Sequence, residues 1–177
     1  MKLRLLAAAT LAALVTTAGA AQAQDWPAWV LNPPAGELAA GECVNASGSM
    51  GLDRQQASAR ARLALAQQIE VKIEAMDQTY ESRVKDGKAE KLASSFVSAS
   101  RQIVNLTLQG ARITRTESVR ARGGDLLCVM VSLEPKAADK LPGDVIRSAG
   151  LKPDDDTEGM LVARFKQAAA ARAQPQS

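Results

Sequence analysis

The chain has 177 residues, which suits a single domain, and its 22 basic and 19 acidic residues give a formal net charge of +3. It contains no histidine, and this excludes His-based acid–base relays, Ser-His and Cys-His nucleophile pairs and most zinc and iron sites. Aromatic residues make up only 3% of the chain, so few side chains are available to line a substrate pocket.

The first 23 residues predict a secretory signal peptide. Lys2 and Arg4 form a short basic end, residues 5–15 are apolar, and a small-x-small cleavage pattern ends at Ala23. The apolar run is shorter than the roughly 20 residues of a membrane-spanning helix, and no later segment comes close to that length. A lipoprotein signal would place a Cys at the cleavage point, where this chain has Ala or Gln. We therefore expect cleavage near Ala23 and a periplasmic protein with neither a lipid anchor nor a transmembrane segment.

Signal cleavage would lower the net charge of the chain. The first 23 residues carry two basic residues and no acid, so the remaining 154 residues have a net charge of +1. Nucleic-acid binding needs a basic surface, and we do not expect it here. The expected partner is another protein or a second copy of the chain, and peripheral membrane contact is a further option.

An arm rich in Trp and Pro follows at residues 24–36. It contains both Trp residues, Trp26 and Trp29, and three of the seven Pro residues. Pro does not suit the interior of a strand or a helix, so the segment is predicted to be extended. We expect the Trp side chains to pin the arm onto the body, and the alternative is that they form a binding platform.

Residues 37–45 predict the first strand, which ends before a turn-rich segment at 46–51. Asp53 is predicted to be the N-cap of a helix, with Gln56 three residues later to complete a capping box. From there to about Gln68, apolar residues recur at helical spacing on two stripes. Two apolar faces require two neighbours, so we expect this helix to lie between a sheet and another helix.

The rhythm of the sequence changes at Ile69. Ile69, Val71 and Ile73 alternate with charged residues, as in a half-buried strand. Their β-branched side chains favour a pleat over continued helix. We therefore predict that the helix passes directly into a long strand that continues towards Val84 and projects beyond the body. One unbroken helix over residues 53–76 would contradict this prediction.

A second helix and a hairpin are predicted next. Charged residues 85–91 precede a helix with apolar residues at spacings of four and three, which ends at Gly110. Residues 112–120 and 126–133 then predict two strands, joined by a loop whose Gly-Gly pair allows positive φ angles. The second of these strands is almost continuously apolar, as expected of a central strand covered on both faces.

Pro135 ends the hairpin, and a Pro- and Gly-punctuated stretch leads to a predicted terminal helix. Acidic residues at 154–158 suit the start of this helix, which is predicted to run to Arg172. The acidic run does not match a calcium-binding loop, because the bidentate acid is missing at the twelfth position, so no metal is expected. The predicted organisation is a signal peptide (1–23), the arm (24–36), an α+β core (37–134) and a C-terminal extension with a terminal helix (135–177).

In this order, the pieces resemble the lipoprotein-twenty (LPP-20-like) family of small envelope proteins. The resemblance covers roughly residues 26–133. It rests on four motifs: Pro27-Ala28-Trp29-Val30 with Asn32-Pro33-Pro34; Ala61-Arg62-x-x-Leu65-Ala66-x-x-Ile69-x-Val71-x-Ile73; Leu108-x-Gly110-Ala111; and Gly124 before an apolar strand. It implies a compact α+β domain of β-α-β-α-β-β order, with two helices packed on one face of an antiparallel sheet. It also implies a role without catalysis or cofactor, in which some members assist flagellar or outer-membrane assemblies as oligomers.

This chain departs from the family in its signal, which lacks the lipid-accepting Cys. The departure favours free periplasmic residence over tethering to the outer membrane. The helix-to-strand transition near Gln68 is the basis for three predictions. These are the order of the secondary-structure elements, the family resemblance and the non-enzymatic interpretation.

The two cysteines, Cys43 and Cys128, lie on the first and last predicted core strands. If both face the same side of the sheet, they can form a disulfide, which needs Cα atoms within roughly 7 Å. The alternatives are two buried free thiols or a redox-active pair. The last is disfavoured because there is no C-x-x-C arrangement.

Four arginines cluster on the third predicted strand and its loop: Arg112, Arg115, Arg120 and Arg122. One interpretation is a solvated strand edge that discourages aggregation. The other is contact with anionic lipid headgroups or an acidic partner.

The G-x-S-x-G motif of serine hydrolases is absent from the sequence. We therefore expect a non-catalytic envelope protein that acts through self-association or docking to an envelope or flagellar assembly. The expected surfaces are the projecting strand at 73–84 and the hairpin, because exposed strand edges pair with other chains. The alternative is a small-ligand or lipid-binding module that uses the space between the two helices and the sheet. A sealed core without a cavity of a few hundred cubic ångströms would disfavour that alternative.

Overall fold

The computed structural model describes residues 26–82, 89–121, 123–152 and 155–170, with the side chains of 89–95 and 169–170 excepted. The predicted signal peptide with its cleavage point at Ala23, the segment 83–88 and Arg122 lie outside these residues. Within them the chain forms α1 (Ala28–Leu31), β1 (Ala39–Asn45), α2 (Met50–Glu81), α3 (Ala89–Gly110), β2 (Arg112–Ala121), β3 (Gly124–Ser132), α4 (Pro135–Ser148) and α5 (Asp155–Ala170). The predicted α+β class is confirmed. None of the helices in the described ranges is long and apolar enough to cross a membrane.

The three strands form one antiparallel sheet in the order β1-β3-β2. The predicted first strand and the predicted hairpin are confirmed. The strand β3 lies in the centre, and its residues from Leu127 to Ser132 are all buried. The nearly continuous apolar sequence of β3 follows from this position, because both of its faces are covered.

The predicted strand beginning at Ile69 is wrong. The helix α2 runs unbroken over 32 residues, so the segment 69–84 contributes no strand within the described residues. The buried residues of α2 continue at spacings of four and three past the predicted transition: Ala57, Ala61, Leu65, Ile69, Ile73 and Met76. Because Ile69 and Ile73 are four apart, they satisfy a helical stripe as well as an alternating one. In the described residues the order after the arm is β-α-α-β-β-α-α, so the predicted order β-α-β-α-β-β is wrong. The family resemblance and the non-enzymatic interpretation lose the transition on which they depended.

The start of α2 also differs from its prediction. The helix begins at Met50, with Ser49 at the N-cap position, so Asp53 lies inside the first turns. The buried carboxylate of Asp53 accepts hydrogen bonds from the backbone N–H and the hydroxyl of Ser47, at 3.0 and 2.6 Å. It thereby fixes the turn between β1 and α2 instead of capping the helix.

The helices form layers on the two sides of the sheet. On one side α2 lies against β1 and β3, while α3 packs mainly against α2 and α4, and α5 packs against α2. Only one of the two helices that were predicted to lie on the sheet therefore does so extensively. The core cluster includes Leu141 and Val145 of α4 and Leu161 and Phe165 of α5, so these C-terminal helices share the core of residues 37–134.

The sequence pattern does not predict helix α4, because Pro and Gly residues interrupt this part of the chain. Pro135 occupies the first helical turn, where a missing N–H costs nothing, but Pro142 lies inside the helix. The buried Leu141, Val145 and Ile146 give α4 the apolar stripe that holds it against the body. The predicted terminal helix is confirmed over Asp155–Ala170, and the predicted end at Arg172 lies outside the described residues.

The arm packs on the side of the sheet opposite α2. Trp29 holds it on the body, as predicted, but residues 28–31, which were predicted to be extended, form the short helix α1. A Cβ atom added at Gly41 would lie 3.2 Å from the Trp29 ring and 2.9 Å from the Cα atom of Val30. The indole N–H of Trp29 donates to a carboxylate oxygen of Glu117 on β2, at 3.0 Å. Trp29 therefore pins the arm across the sheet from β1 to β2.

Candidate interaction surface at the sheet edge

The strand β2 has a neighbour on one side only. In the sheet formed by the described residues, β2 pairs with β3, and its other edge has no partner strand. Most of its residues are exposed, including the whole run Thr114–Ser118. No helix of the described ranges packs extensively on β2. We call this strand, Arg112–Ala121, the β2 edge.

The sequence of the β2 edge explains its conformation. Ile113, Thr114, Thr116 and Val119 are β-branched, and such side chains suit a pleated strand. The pairing with β3 shifts register between Ile113 and Arg115, which marks a bulge. A bulge at an edge disturbs further pairing there, so the regular part of the free edge runs from Arg115 to Ala121.

The four arginines do not form one patch. Directly opposite residues of an antiparallel pair share a face, so Arg112 and Arg115 lie on the face of Ser132 and Met130. Arg120 lies opposite Asp125, on the other face, and forms an exposed ion pair with it at 3.2 Å. Neither Arg112 nor Arg115 forms an ion pair with a described residue.

Arg122, the fourth of the predicted anionic-contact residues, lies outside the described residues, so the structure does not place it. Arg112 and Arg115 are the two cations that the described part of the hairpin offers to an anionic group on one face.

Glu117 is a feature of the edge that the sequence reading did not single out. It lies on the same face as Arg115, two residues away, and its Oε2 atom accepts the hydrogen bond from Trp29. Its Oε1 atom accepts none from the described residues. One feature of the sequence could have identified Glu117: it is the only acidic residue in a ten-residue strand with three arginines.

The predicted disulfide is present. Cys43 and Cys128 are directly opposite on β1 and β3, with Cα atoms 4.0 Å apart, and their sulfurs are bonded. Both residues are buried on the sheet face that the arm covers. The bond therefore links β1, at the far edge of the sheet, to the central strand β3, and β3 pairs with the β2 edge.

A concave feature lies between α2 and α3. It is an open cleft of about 290 Å³, lined by Glu70, Ile73, Glu74, Asp77, Phe96, Val97, Ser100 and Arg101. Burial raises the pKa of the Asp77 carboxyl to about 6, and the negative charges of Glu81 and Glu74 add to the shift. The cleft therefore has an apolar floor beneath three carboxylates, and Arg101 is the one cation among its lining residues.

The remaining predicted sites give no further chemistry. In the described ranges, no three His, Cys, Asp or Glu residues are grouped so that they could hold a metal ion. The acidic run at 154–158 begins at Asp154, which lies outside these ranges. The projecting strand expected at 73–84 is part of α2 as far as Glu81, so of the two expected interaction surfaces only the hairpin remains.

No family model matches the chain, and no curated protein or solved structure is significantly similar to it.

Proposed function

We propose that the protein is a non-catalytic, exported envelope protein that acts through the β2 edge, by self-association or by docking to an envelope or flagellar assembly. The observation that carries the proposal is a ten-residue edge strand that is exposed on both faces over Thr114–Ser118. A free strand edge offers a row of backbone donors and acceptors to an extended segment of another chain.

The rest of the sheet supports this use of its edge. The disulfide joins β1 to β3, and the hydrogen bond from Trp29 to Glu117 joins the arm to β2. Both contacts hold β2 in a fixed position relative to the body. An edge that is already ordered loses little further conformational entropy when it pairs, and this favours binding.

Export to the periplasm is part of the proposal. It is supported by the signal-peptide pattern that ends at Ala23 and by the disulfide, since disulfides form and persist in oxidising compartments. The exposed Arg112 and Arg115 would allow peripheral contact with anionic headgroups, including association with the outer membrane.

Two measurements test this proposal. Expression of the full chain in a Gram-negative host should yield a periplasmic species whose intact mass matches cleavage after Ala23 and one disulfide. A photo-crosslinking amino acid at Thr116 should then form products in living cells, and the same amino acid at Gln67, on the exposed side of α2, should form few. Equal yields at the two positions, or no product at Thr116, would contradict action through the β2 edge.

The cleft between α2 and α3 supports a second candidate, a small-ligand module. Its volume is near the lower end of ligand sites, and its carboxylates repel an anionic lipid headgroup. A small amine with an apolar tail fits this lining better. In an NMR titration, hexylamine should therefore shift the resonances of Ile73, Val97 and Ser100, whereas hexanoate should not. Equal responses to the two compounds would reject the candidate.

A further inference from the structure

We propose that the β2 edge pairs with the β2 edge of a second copy of the chain, antiparallel and around a two-fold axis through Thr116. Two three-stranded sheets would then form one six-stranded sheet across the dimer. This inference rests on the proposed function and names its partner.

Symmetry restricts the registers that such a pair can adopt. A two-fold axis perpendicular to the sheet maps each face onto itself, so it must pass through a residue position and not between two residues. Within the regular part, Arg115–Ala121, Glu117 shares its face with Arg115 but not with Arg120. The axis through Thr116 is therefore the only choice in this part that places Glu117 opposite an arginine.

In that register the charges of the two copies are complementary. Arg115 of each copy lies opposite Glu117 of the other, which gives two opposite-charge pairs on one face. Arg115 forms no ion pair with a described residue of its own chain. Trp29 occupies only the Oε2 atom of Glu117, so Oε1 remains to accept a bond from the guanidinium of the second copy.

The surroundings of the edge admit a second copy. Thr116 and Ser118 point to the helix side of the sheet and are nevertheless exposed, because the helices cover β1 and β3 and not β2. Thr116 meets Thr116 of the second copy at the axis, which is a favourable cross-strand pair. Beyond Arg115 the bulge interrupts the pairing, and Arg112 and Arg120 lie on opposite faces of the sheet, so these two like charges do not face each other.

The area buried by one added strand on each side is small, so we expect a reversible dimer. Its dissociation constant should be on the order of 10–100 µM, as for weak interfaces. Sedimentation velocity of the signal-cleaved chain up to about 0.5 mM should show a monomer–dimer equilibrium. A strictly monomeric chain at that concentration would overturn the inference.

Charge reversal tests the register. Arg115→Glu and Glu117→Arg should each weaken the dimer roughly tenfold or more, because two attractive pairs become two repulsive ones. The double variant Arg115→Glu/Glu117→Arg should restore it, because the pairs return with opposite polarity. Glu117→Arg also removes the bond from Trp29, so Trp29→Phe, which removes that bond and leaves the charges unchanged, is the matched control and should weaken the dimer far less than Glu117→Arg. Single reversals without effect, or a double variant that fails to recover, would overturn the pairing.

Cysteine cross-linking locates the axis. Thr116→Cys places two thiols about 4.5–5.5 Å apart by their Cα atoms, which allows an intermolecular disulfide under mild oxidation. Ser118→Cys is the control, because its two copies lie roughly 13 Å apart along the strands and should not cross-link. Equal cross-linking at both positions would overturn the register.

These outcomes separate the inference from the proposed function. A monomeric chain that still forms photo-crosslinks at Thr116 in cells would overturn self-pairing and keep the edge as a docking site for another protein. A dimer that behaves as predicted but forms no photo-crosslink at Thr116 in cells would keep the pairing and contradict the function.

Discussion

Lys72 is a buried cation on α2, only 5% exposed, that faces α5. Its ammonium donates to the backbone carbonyl of Phe165 at 3.3 Å and lies 4.9 Å from the centre of the Phe165 ring. No carboxylate of the described residues pairs with it. Burial lowers the pKa of Lys72, because the charged form loses hydration that a carbonyl and an aromatic ring replace only in part.

We predict that Lys72→Met increases the free energy of unfolding at pH 7 by about 1–2 kcal/mol, since Met keeps the stem and removes the charge. The gain should shrink as the pH approaches 10.5. Between the lowered native pKa of Lys72 and 10.5, the unfolded chain binds more protons, so the wild type gains stability with rising pH and the variant does not.

Urea unfolding between pH 6 and pH 10 measures both effects of Lys72→Met. Lys140→Met, at an exposed position of α4, is the control and should show neither. A variant that is less stable than the wild type at pH 7 would mean that the contacts with Phe165 outweigh the cost of burying the charge.

Asp77 gives a pH dependence of the opposite sign. Its pKa is raised to about 6 by burial, by Glu81 and by Glu74, while Arg101 is the cation that α3 contributes to the same cleft. The native chain therefore binds more protons than the unfolded chain between about pH 4 and pH 6, and stability is lost as the pH rises through this window. We predict that Asp77→Asn raises the melting temperature by roughly 2–4 °C at pH 7.5 and leaves it unchanged at pH 4.

Thermal melts at the two pH values test the Asp77 prediction. Glu37→Gln, in an exposed loop, serves as the control for a lost carboxylate and should change neither melt. Equal stabilisation by Asp77→Asn at both pH values would show that the proton on Asp77 is not the cause.

Single residues were predictable from the sequence where chemistry alone restricts them. Cys43 and Cys128 are the only two cysteines, so one pairing was available if the strands met. Asp53 has the chemistry of an N-cap, and its carboxylate does accept from a backbone N–H, but from Ser47 and not from its own helix. Which N–H it meets depends on the path of the preceding turn, and no local pattern specifies that path.

At the scale of elements, the alternation at Ile69, Val71 and Ile73 predicts a strand, but the structure places these residues in the helix α2. Ile69 and Ile73 are buried in α2, while Val71 is only half-buried, as expected of a residue on the flank of a helical stripe. The helix penalty of β-branched residues is below about 0.7 kcal/mol each, and burial of an Ile side chain outweighs it. The absence of Gly, Pro or a turn between the two segments was the signal for one continuous helix.

The contact between the arm and the sheet yields a prediction for Gly41. A Cβ atom there would meet backbone at 2.9 Å and the Trp29 ring at 3.2 Å, so α1 must move. We predict that Gly41→Ala lowers the free energy of unfolding by about 1–3 kcal/mol and shifts Trp fluorescence to longer wavelength, because Trp29 becomes solvated.

Gly51→Ala is the matched control for Gly41→Ala. A Cβ atom at Gly51 meets nothing within 4 Å, and Ala is the better helix former in the first turn of α2. This variant should be as stable as the wild type or more so, with unchanged fluorescence. An unchanged emission spectrum of Gly41→Ala would contradict the packing of Trp29 against β1.

At the scale of the whole molecule, the class and most elements were predictable, but the layering was not. The hydrophobic stripes of α2 correctly indicated a sheet and a helix as neighbours, but α2 packs against two helices, α3 and α5. Helix α4 was missed because Pro142 and Gly143 are read locally as breakers, whereas burial of Leu141 and Val145 holds the helix together. Long-range packing decides whether such a segment forms a helix, and local residue propensities do not contain information about that packing.

The disulfide constrains the molecule at the same scale. Cys43 and Cys128 are 85 residues apart, and the loop between them contains α2, α3 and β2. Closing such a loop removes entropy from the unfolded chain equivalent to about 4.5 kcal/mol in the chain-entropy model. We predict that the double variant Cys43→Ala/Cys128→Val loses about 4 kcal/mol of unfolding free energy, measured in urea.

Val keeps much of the volume of the fully buried Cys128, so the loss in this double variant should reflect the cross-link more than the packing. Reduction of the wild type is the control and should bring its stability to that of the double variant. Because the bond acts on the unfolded chain, the double variant should keep the native fold, with Trp29 still packed on β1 and unchanged Trp emission. A double variant within about 1 kcal/mol of the oxidised wild type would mean that packing alone holds β1 on β3, and that the bond does not stabilise the sheet.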